Sequence, residues 1–301
     1  MFKYLATAAA LKFFSLSPQT KKLYRRLGNV WGQKFKVSRG LAPWRLLNAK
    51  EIVARCAKYP VRDGDRVLEI GTGWVHWEST LIRLFYDVEI TLFDAWDNRQ
   101  FDAYKRYFGL YEAIIDSELQ LTQAQSTRVH QTLQVIAKAE SFDEVYRALG
   151  FRYVVHPQGS TAQFPSDYFS MIVSCNVLEH VHASLLSDLT SDYWRILKPG
   201  GYMFHGIDLG DHLAYYDSSV FRKNYLRYSD AVWRRFFENE VQYFNRVQPP
   251  EWLKLFRSVG LQLIDVRTEL IDLKVKVDPC FQDLSQDELR TLFLMLVHQK
   301  V

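Results

Sequence analysis

The chain has 301 residues, of which 48% are hydrophobic and 24% charged, enough for one large α/β domain with additions or for two small domains. No run of 18 or more uncharged apolar residues occurs, so the sequence predicts no transmembrane helix, and its apolar content excludes global disorder. The three widely spaced cysteines fit neither a disulfide framework nor a thiolate zinc site, so we expect a reducing, cytoplasmic compartment.

Charge is distributed unevenly along the chain. Residues 1–60 contain 13 Lys or Arg residues and one acid, Glu51, whereas the remainder is net acidic. Residues 1–60 are therefore predicted to be a basic N-terminal extension that meets an anionic partner, either an acidic membrane surface contacted by residues 1–40 or a nucleic acid. Packing of this basic segment against the acidic remainder of the chain is the alternative interpretation.

Three helices are predicted in the extension. Apolar spacing predicts the first over 2–14, Pro18 opens a second that we expect Gly28 to end, and an amphipathic pattern predicts a third over 43–59. Two lysines interrupt the first helix and no small-residue cleavage site follows it, so we expect no secretory signal peptide. The sequence does not exclude a mitochondrial transit peptide, because acids are absent until Glu51.

Beyond residue 60, short β-rich runs alternate with helical patterns. This alternation is typical of a mostly parallel sheet with helices on both faces. Residues 98–150 contain no convincing strand and are predicted to be a helical insertion. The predicted strands lie at 66–70, 88–93, 152–156, 171–175, within 197–207 after a Gly-Gly turn, at 261–271 and at 293–298.

A glycine loop follows the first predicted strand. Glu69 is followed by Gly71 and Gly73, and Asp94 ends the next strand. Glycines let the backbone approach a ligand, and a carboxylate at the position of Asp94 can accept hydrogen bonds from both hydroxyls of an adenosine ribose. A dinucleotide would need a third glycine where His76 stands, and Glu69 would repel its pyrophosphate. Charge therefore favours a cationic amino group and sulfonium, as in S-adenosylmethionine, over NAD.

Four motifs, taken together and in this order, resemble those of class I S-adenosylmethionine-dependent methyltransferases. The resemblance implies an enzyme with a Rossmann-like, seven-stranded, mostly parallel sheet whose last strand is antiparallel. It also implies a methyltransferase domain over residues 61–301, with S-adenosyl-L-methionine as the cofactor. The motifs are VLEIGTG (67–73), LFDAWD (92–97), FPSDYFSMIVSCNVLEHV (164–181) and ILKPGGYMFHGID (196–208).

The resemblance also implies cofactor contacts. Glu69 and the loop glycines would line the methionine end, and Asp94 would hold the ribose. Ser160 or Thr161 falls where the family places an adenine-edge residue, usually an acid, and Asn176 would lie under the sulfonium. The predicted cofactor-binding set is Glu69, Gly71, Thr72, Gly73, Asp94, Ser160, Thr161 and Asn176.

Candidate bases follow the fourth and fifth strands, where an open α/β sheet has its crevice. In one interpretation His180 or His205 is the general base of an O-methylation. In a second, Glu179, His180 and either His205 or Asp208 bind a divalent metal. LEHV resembles the coenzyme Q O-methyltransferases and small-RNA 3′-end methyltransferases, with Asn176 in place of their first Glu. In a third, these groups are structural. The set that we predict as catalytic is His180, His205 and Asp208, without a metal.

Residues 209–248 are a second predicted insertion, dense in aromatic and basic residues. Such a segment suits an acceptor-side cover, and an ordinary lid with core aromatics is the alternative. The first functional hypothesis is O-methylation of a small-molecule or glycan acceptor, anionic or lipid-linked, by a cytoplasmic and membrane-associated enzyme. An RNA methyltransferase that uses the basic segment ranks second, and a non-catalytic S-adenosylmethionine-binding module ranks third.

Overall fold

The structure is a computed structural model that describes residues 1–38 and 40–301, and the side chains of residues 31–38 are not described. The segment 1–40 that is predicted to contact a membrane includes Arg39, which lies outside the described residues. No helix in the described part of the chain combines the length and apolar character needed to cross a membrane.

The described residues form a seven-stranded sheet with the order β3-β2-β1-β4-β5-β7-β6. Neighbouring strands β1 and β2, β1 and β4, and β2 and β3 pair in parallel, whereas β6 and β7 pair antiparallel. The predicted Rossmann-like architecture and its antiparallel last strand are therefore confirmed. The strands are β1 Arg66–Ile70, β2 Glu89–Asp94, β3 Phe151–Val155, β4 Phe169–Cys175, β5 Leu197–Asp208, β6 Leu261–Leu270 and β7 Thr291–Lys300.

Twelve α-helices lie within residues 1–38 and 40–301, and three of them precede the first strand. The helices are α1 Phe2–Phe14, α2 Pro18–Ser38, α3 Pro43–Lys58, α4 Trp77–Phe85, α5 Phe101–Glu112, α6 Ile115–Glu118, α7 Gln123–Lys138, α8 Phe142–Leu149, α9 Leu186–Ile196, α10 Asp230–Phe236, α11 Pro249–Ser258 and α12 Gln286–Arg290.

The predicted end of the second helix is wrong. Gly28 does not end the second helix, because α2 continues through it to Ser38. Gly28 does not adopt the left-handed conformation that would turn the chain out of a helix. A lone glycine in a helix costs only about 1 kcal/mol relative to alanine, and this cost is too small to stop the helix by itself.

The chain divides into two compact units, each described here by itself. The first unit contains Asn29–Ser174 and Arg195–Met203, and the second contains Met1–Gly28, Cys175–Trp194 and Phe204–Val301. In the first unit, α4 packs against α3 and α7, and α5 also packs against α7. The predicted 98–150 insertion is helical, as α5 to α8 show, and it supplies much of this packing.

In the second unit, α1 lies against the short 3-10 helix His212–Tyr216. Its side chains Tyr4, Ala8 and Leu11 are buried in an apolar cluster with residues of the 209–248 insertion. The opposite face of α1 stays in solvent. The buried insertion members of this cluster are Leu213, Ala214, Tyr225, Leu226, Trp233, Phe237 and Phe244.

Candidate active site

The glycine loop of the first unit is fixed to the end of β2. The backbone N–H groups of Gly71 and Thr72 both donate to the carbonyl of Phe93, at 2.8 and 3.1 Å. Gly71 and Gly73 have φ values of +66° and +61°, a left-handed backbone conformation that residues other than glycine rarely adopt. A Cβ at Gly73 would meet nothing closer than the Gly71 carbonyl at 3.8 Å, so the loop presents open backbone at this point.

Asp94 holds the same loop from the end of β2. Its Oδ2 accepts a hydrogen bond from Gly73 N–H at 2.9 Å, and its Oδ1 accepts one from Ala95 N–H at 2.7 Å. Burial raises the pKa of Asp94, and these backbone N–H groups act in the opposite direction. Each carboxylate oxygen has a second lone pair, so Asp94 can still accept the two hydroxyls of a ribose.

Glu69 is buried beneath the loop, with 1% of its surface exposed. Its Oε2 accepts hydrogen bonds from Thr72 Oγ1 at 3.0 Å and from Ser79 N–H at 3.4 Å. Burial raises the pKa of Glu69 well above its usual range, and the neighbouring Glu78 adds to the shift. Glu69 therefore supports the loop from beneath. The sequence alone could not distinguish this role from direct contact with the ligand.

Sequence reasoning missed the role of His76, which it treated only as a missing glycine. His76 is fully buried with φ +43°; its Nδ1 lies 2.7 Å from Thr72 Oγ1 and its Nε2 lies 2.7 Å from Tyr146 Oη. Since Thr72 donates to Glu69, the consistent assignment has Nδ1–H donate to Thr72 and Tyr146 O–H donate to Nε2. Burial lowers the pKa of His76 to about 3, so the ring is neutral, as this assignment requires.

The predicted adenine-edge residues lie after β3 in the same unit. His156 N–H donates to the Asp94 carbonyl at 3.0 Å, and Ser160 N–H donates to His156 Nδ1 at 3.2 Å. Ser160 is half-buried, and Thr161 is fully buried. Hydrogen bonds thus connect Ser160 to the residue that is predicted to hold the ribose.

Asn176 begins the acceptor side, in the second unit. It has φ +56°, and its N–H donates to the Gly206 carbonyl at 2.9 Å. Its buried Oδ1 finds no hydrogen-bond partner among the described residues. An unsatisfied buried amide oxygen is suited to accept a hydrogen bond from a ligand.

The second unit also brings together the residues after β4 and β5, here called the acceptor-side cluster: Glu179, His180, Asp208 and His212. Asp208 N–H donates to Glu179 Oε1 at 3.3 Å, and the rings of His180 and His212 lie 4.7 Å apart. His212 Nε2 lies 3.8 Å from Asp208 Oδ2, which also accepts a hydrogen bond from the Tyr215 hydroxyl. Burial, with repulsion from Asp208, raises the pKa of Glu179 well above its usual range.

His205 does not join this cluster. Its ring is 2% exposed and stacks at 5.2 Å on Phe256 and at 6.1 Å on Tyr193. Burial, with some repulsion from His298, lowers the pKa of His205 to about 3. Of the three residues predicted as catalytic, the structure brings together His180 and Asp208, and it adds His212, which lies outside the predicted set.

In the 209–248 insertion, some aromatic residues are buried in the core and others are exposed, so both interpretations of this segment apply in part. Tyr225, Trp233 and Phe244 are buried in the core of the second unit. Tyr215, beside the acceptor-side cluster, is 48% exposed, and the guanidinium of Arg222 lies 5.5 Å from its ring centre. This pair is exposed next to the acceptor-side cluster.

The sheet order, the glycine loop and the acid that ends β2 define an S-adenosylmethionine-dependent methyltransferase. The chain belongs to the methyltransferase domain family, whose model matches residues 43–266. The protein is therefore an enzyme of this class with S-adenosylmethionine as its cofactor. Glu69, the loop glycines, Asp94 and Asn176 remain predicted contacts of this cofactor.

Solved structures similar to the chain are distant in sequence. A chain from a complex that contains the Trm112 methyltransferase activator of Haloferax volcanii is 15% identical, with 92% of this chain and 97% of that one covered and a TM-score of 0.49. An S-adenosylmethionine-dependent methyltransferase from Methanosarcina mazei is 15% identical, with coverage of 87% and 99% and a TM-score of 0.44. Phosphoethanolamine N-methyltransferase 2 of Haemonchus contortus, in complex with S-adenosyl-L-methionine, is 13% identical, with coverage of 83% and 52% and a TM-score of 0.45. A search among curated proteins finds no match.

The buried position of Glu69 predicts a pH-dependent stability. A raised folded-state pKa means that this group's contribution to stability is full below its unfolded value of about 4.5 and is lost as pH rises toward the folded pKa. Glu69→Gln cannot ionise and keeps an oxygen for Thr72 O–H. We therefore expect its melting temperature to exceed that of the wild type at about pH 8 but not at about pH 4.5. Thermal unfolding across this range, with the exposed Glu89→Gln as control, checks the prediction; a difference independent of pH would contradict it.

Proposed function

We propose that the enzyme transfers the methyl group of S-adenosylmethionine to a hydroxyl of a small-molecule or glycan acceptor. The observation that carries this proposal is the acceptor-side cluster, in which carboxylates and imidazoles meet beside the exposed Tyr215. Methyl transfer to a hydroxyl needs a group that removes a proton, whereas the cofactor supplies the electrophilic methyl group. An amine that attacks in its neutral form would not need a base to become nucleophilic.

Proton removal is assigned to His180 and Asp208. His180 Nδ1 lies 2.7 Å from the carbonyl oxygen of Tyr243, which can only accept, so Nδ1 carries the hydrogen and Nε2 has a lone pair. Asp208 Oδ1 is oriented by Gly210 N–H at 2.8 Å. Both groups are thus positioned by the insertion that is proposed to cover the acceptor, and the packing of His205 supports no proton-transfer role for that residue.

The chemistry beside the cluster favours an anionic, sugar-like acceptor. The exposed Tyr215 ring offers a flat apolar face of the kind that packs on sugar rings, and the exposed Arg222 offers a cationic fork for a carboxylate or phosphate. Tyr215 also donates to Asp208, so a ligand on its ring would lie next to the proposed base.

Methyl transfer to a panel of acceptors tests this function. Labelled S-adenosylmethionine would be offered with acidic glycans, neutral glycans, amines and RNA, and the product would be analysed for a methyl ether. We expect hydroxyl methylation of an acidic glycan or small molecule, and its loss in Asp208→Asn with cofactor affinity retained. Methylation of only amines, carbon or RNA by the wild type would overturn the proposal.

The acceptor is further proposed to be presented at an anionic membrane surface, which the outer face of α1 would contact. Phe2, Phe13 and Leu16 expose 84%, 57% and 76% of their surface on this part of the chain. No acid occurs among residues 1–50, and Lys3 and Lys22 are exposed nearby. Apolar side chains among bases, on a helix too short and too charged to span, suit insertion at the level of lipid headgroups.

Flotation with liposomes checks the membrane contact. We expect recovery with anionic vesicles but not with neutral ones, and a loss of at least about tenfold in recovery when Phe2 and Phe13 are both replaced by Asp, since apolar burial and charge attraction are both reduced. Exchange of Leu263, which is also exposed but lies on β6, for Asp is the control. Equal recovery with both kinds of vesicle, or none with either, would contradict the proposed contact.

A further inference from the structure

We propose that Glu179, His180 and His212 form a binding site for a divalent transition-metal ion. Each side chain offers one ligand atom, and the three atoms lie within 4.8 Å of one another. Two imidazoles and one carboxylate are a ligand set suited to Zn²⁺, Mn²⁺ or Fe²⁺, with room for further oxygen ligands. The structure thus assigns the third position to His212, in place of the His205 or Asp208 that the sequence offered.

One carboxylate oxygen of Glu179 is buried and suited to bind a cation. The residue is 1% exposed, and its Oε1 accepts the N–H of Asp208. Its buried Oε2 has no hydrogen-bond partner among the described residues. A buried carboxylate oxygen without a donor is costly, and a metal ion bound at that oxygen would remove the cost.

His180 is held as metal-ligating histidines usually are. Its Nδ1–H donates to the Tyr243 carbonyl at 2.7 Å, which fixes the tautomer and leaves Nε2 as the ligand atom. Asn245 holds the turn that carries His180, because its Nδ2 donates to the carbonyls of Leu178 and Val181 at 2.9 and 3.0 Å. The insertion therefore orients His180 through both the ring and the backbone.

His212 is placed by ring packing. Its ring stacks on Phe244 at 5.0 Å and on Tyr215 at 5.4 Å, and the ring of His180 lies 4.7 Å away. His180 is exposed whereas Glu179 is buried, so an ion can reach the site from the solvent side. Asp208, with Oδ2 at 3.8 Å from His212 Nε2, adds a second carboxylate next to the three ligands.

The use of this ion rests on the proposed function, although its binding does not. In an O-methylation, a bound divalent ion would lower the pKa of the acceptor hydroxyl. With His180 Nε2 engaged by the ion, Asp208 would receive the hydroxyl proton. In this arrangement, Glu179, His180 and His212 bind the metal ion and Asp208 acts as the base, so both interpretations of the cluster hold for different residues.

Metal titration of the full chain tests the site. The purified protein is stripped with a chelator and titrated with Zn²⁺ and Mn²⁺ by calorimetry, and bound metal is counted after dialysis by mass spectrometry. We expect one ion per chain, and a loss in affinity of more than about 100-fold in His180→Ala, His212→Ala and Glu179→Gln, because loss of outer-shell partners alone costs about 10- to 100-fold. His182→Ala, a neighbouring exposed histidine outside the set, is the control and should bind as the wild type does.

The outcomes separate this inference from the proposed function. Absence of stoichiometric metal binding by the wild type, or equal binding by His180→Ala and the wild type, would overturn the metal site. Because His180 is exposed, its replacement gives a valid result even if the buried Glu179→Gln does not fold, and circular dichroism monitors folding in each variant. Acceptor methylation is measured separately with labelled S-adenosylmethionine, so a failure of the proposed O-methylation leaves the metal result standing.

Discussion

Asp94→Ala is expected to weaken S-adenosylmethionine binding by about 100-fold, equivalent to about 2.7 kcal/mol. The variant loses the predicted acceptor for the two ribose hydroxyls. It also releases Gly73 N–H, which Asp94 Oδ2 holds at 2.9 Å, so the left-handed loop backbone loses a fixed partner. Titration of the purified protein with the cofactor by calorimetry measures the effect.

Asp97→Asn is the matched control for that experiment. Asp97 lies three residues further along, is 51% exposed and pairs with Arg99 rather than with the loop. Its replacement should leave cofactor affinity within about threefold of the wild-type value, because exposed ion pairs contribute little. Cofactor binding by Asp94→Ala at wild-type strength would show that the carboxylate at the end of β2 does not contact the ligand.

His76→Ala is expected to destabilise the protein by about 3–5 kcal/mol, within the range found for removal of a large buried side chain. Alanine would leave a cavity next to the rings of Tyr104, Phe142, Tyr146 and Tyr153, which now lie 5.0 to 6.1 Å from the imidazole. It would also remove the imidazole Nε2, which now accepts the hydrogen bond from the Tyr146 hydroxyl. Chemical denaturation of the wild type and the variant measures the difference.

His76→Asn should lose less, because asparagine tolerates a positive φ and can still bond to Thr72. We expect the asparagine variant to retain at least about half of the stability difference between alanine and histidine, by partial rescue of the hydrogen bonds. If both variants unfold at the wild-type denaturant concentration, the hydrogen-bonded chain from Tyr146 to Glu69 does not stabilise the loop.

Local sequence pattern was sufficient for the sheet. The apolar run before Gly71 could only be a short buried strand, and β1 begins and ends at the predicted residues. The apolar run at 293–298 was an equally local signal, whereas the two glycines predicted to form a turn before the fifth strand lie inside β5. Gly28 shows the limit of such signals, since a single helix-breaking residue did not outweigh the helix-forming residues on both sides.

The site depended on contacts between residues far apart in sequence. His76 and Tyr146 are separated by 70 positions, and nothing near either residue indicates that their side chains meet. His205 and His180 look equally suited to catalysis as sequence, yet one is stacked in an apolar core and the other is exposed beside His212. Packing between elements that are far apart in the chain decides these outcomes, and no local sequence pattern indicates it.

The hydroxyl of Tyr4 on α1 donates to Asp211 Oδ2 at 2.8 Å, and Asp211 directly precedes His212. The helix that is proposed to touch lipid is thus hydrogen-bonded to the residue next to a proposed metal ligand. Displacement of α1 would break the buried hydrogen bond from Tyr4 to Asp211 and would loosen the adjacent His212. The proposed membrane contact and the proposed metal site would thus depend on the same hydrogen bond, from Tyr4 to Asp211.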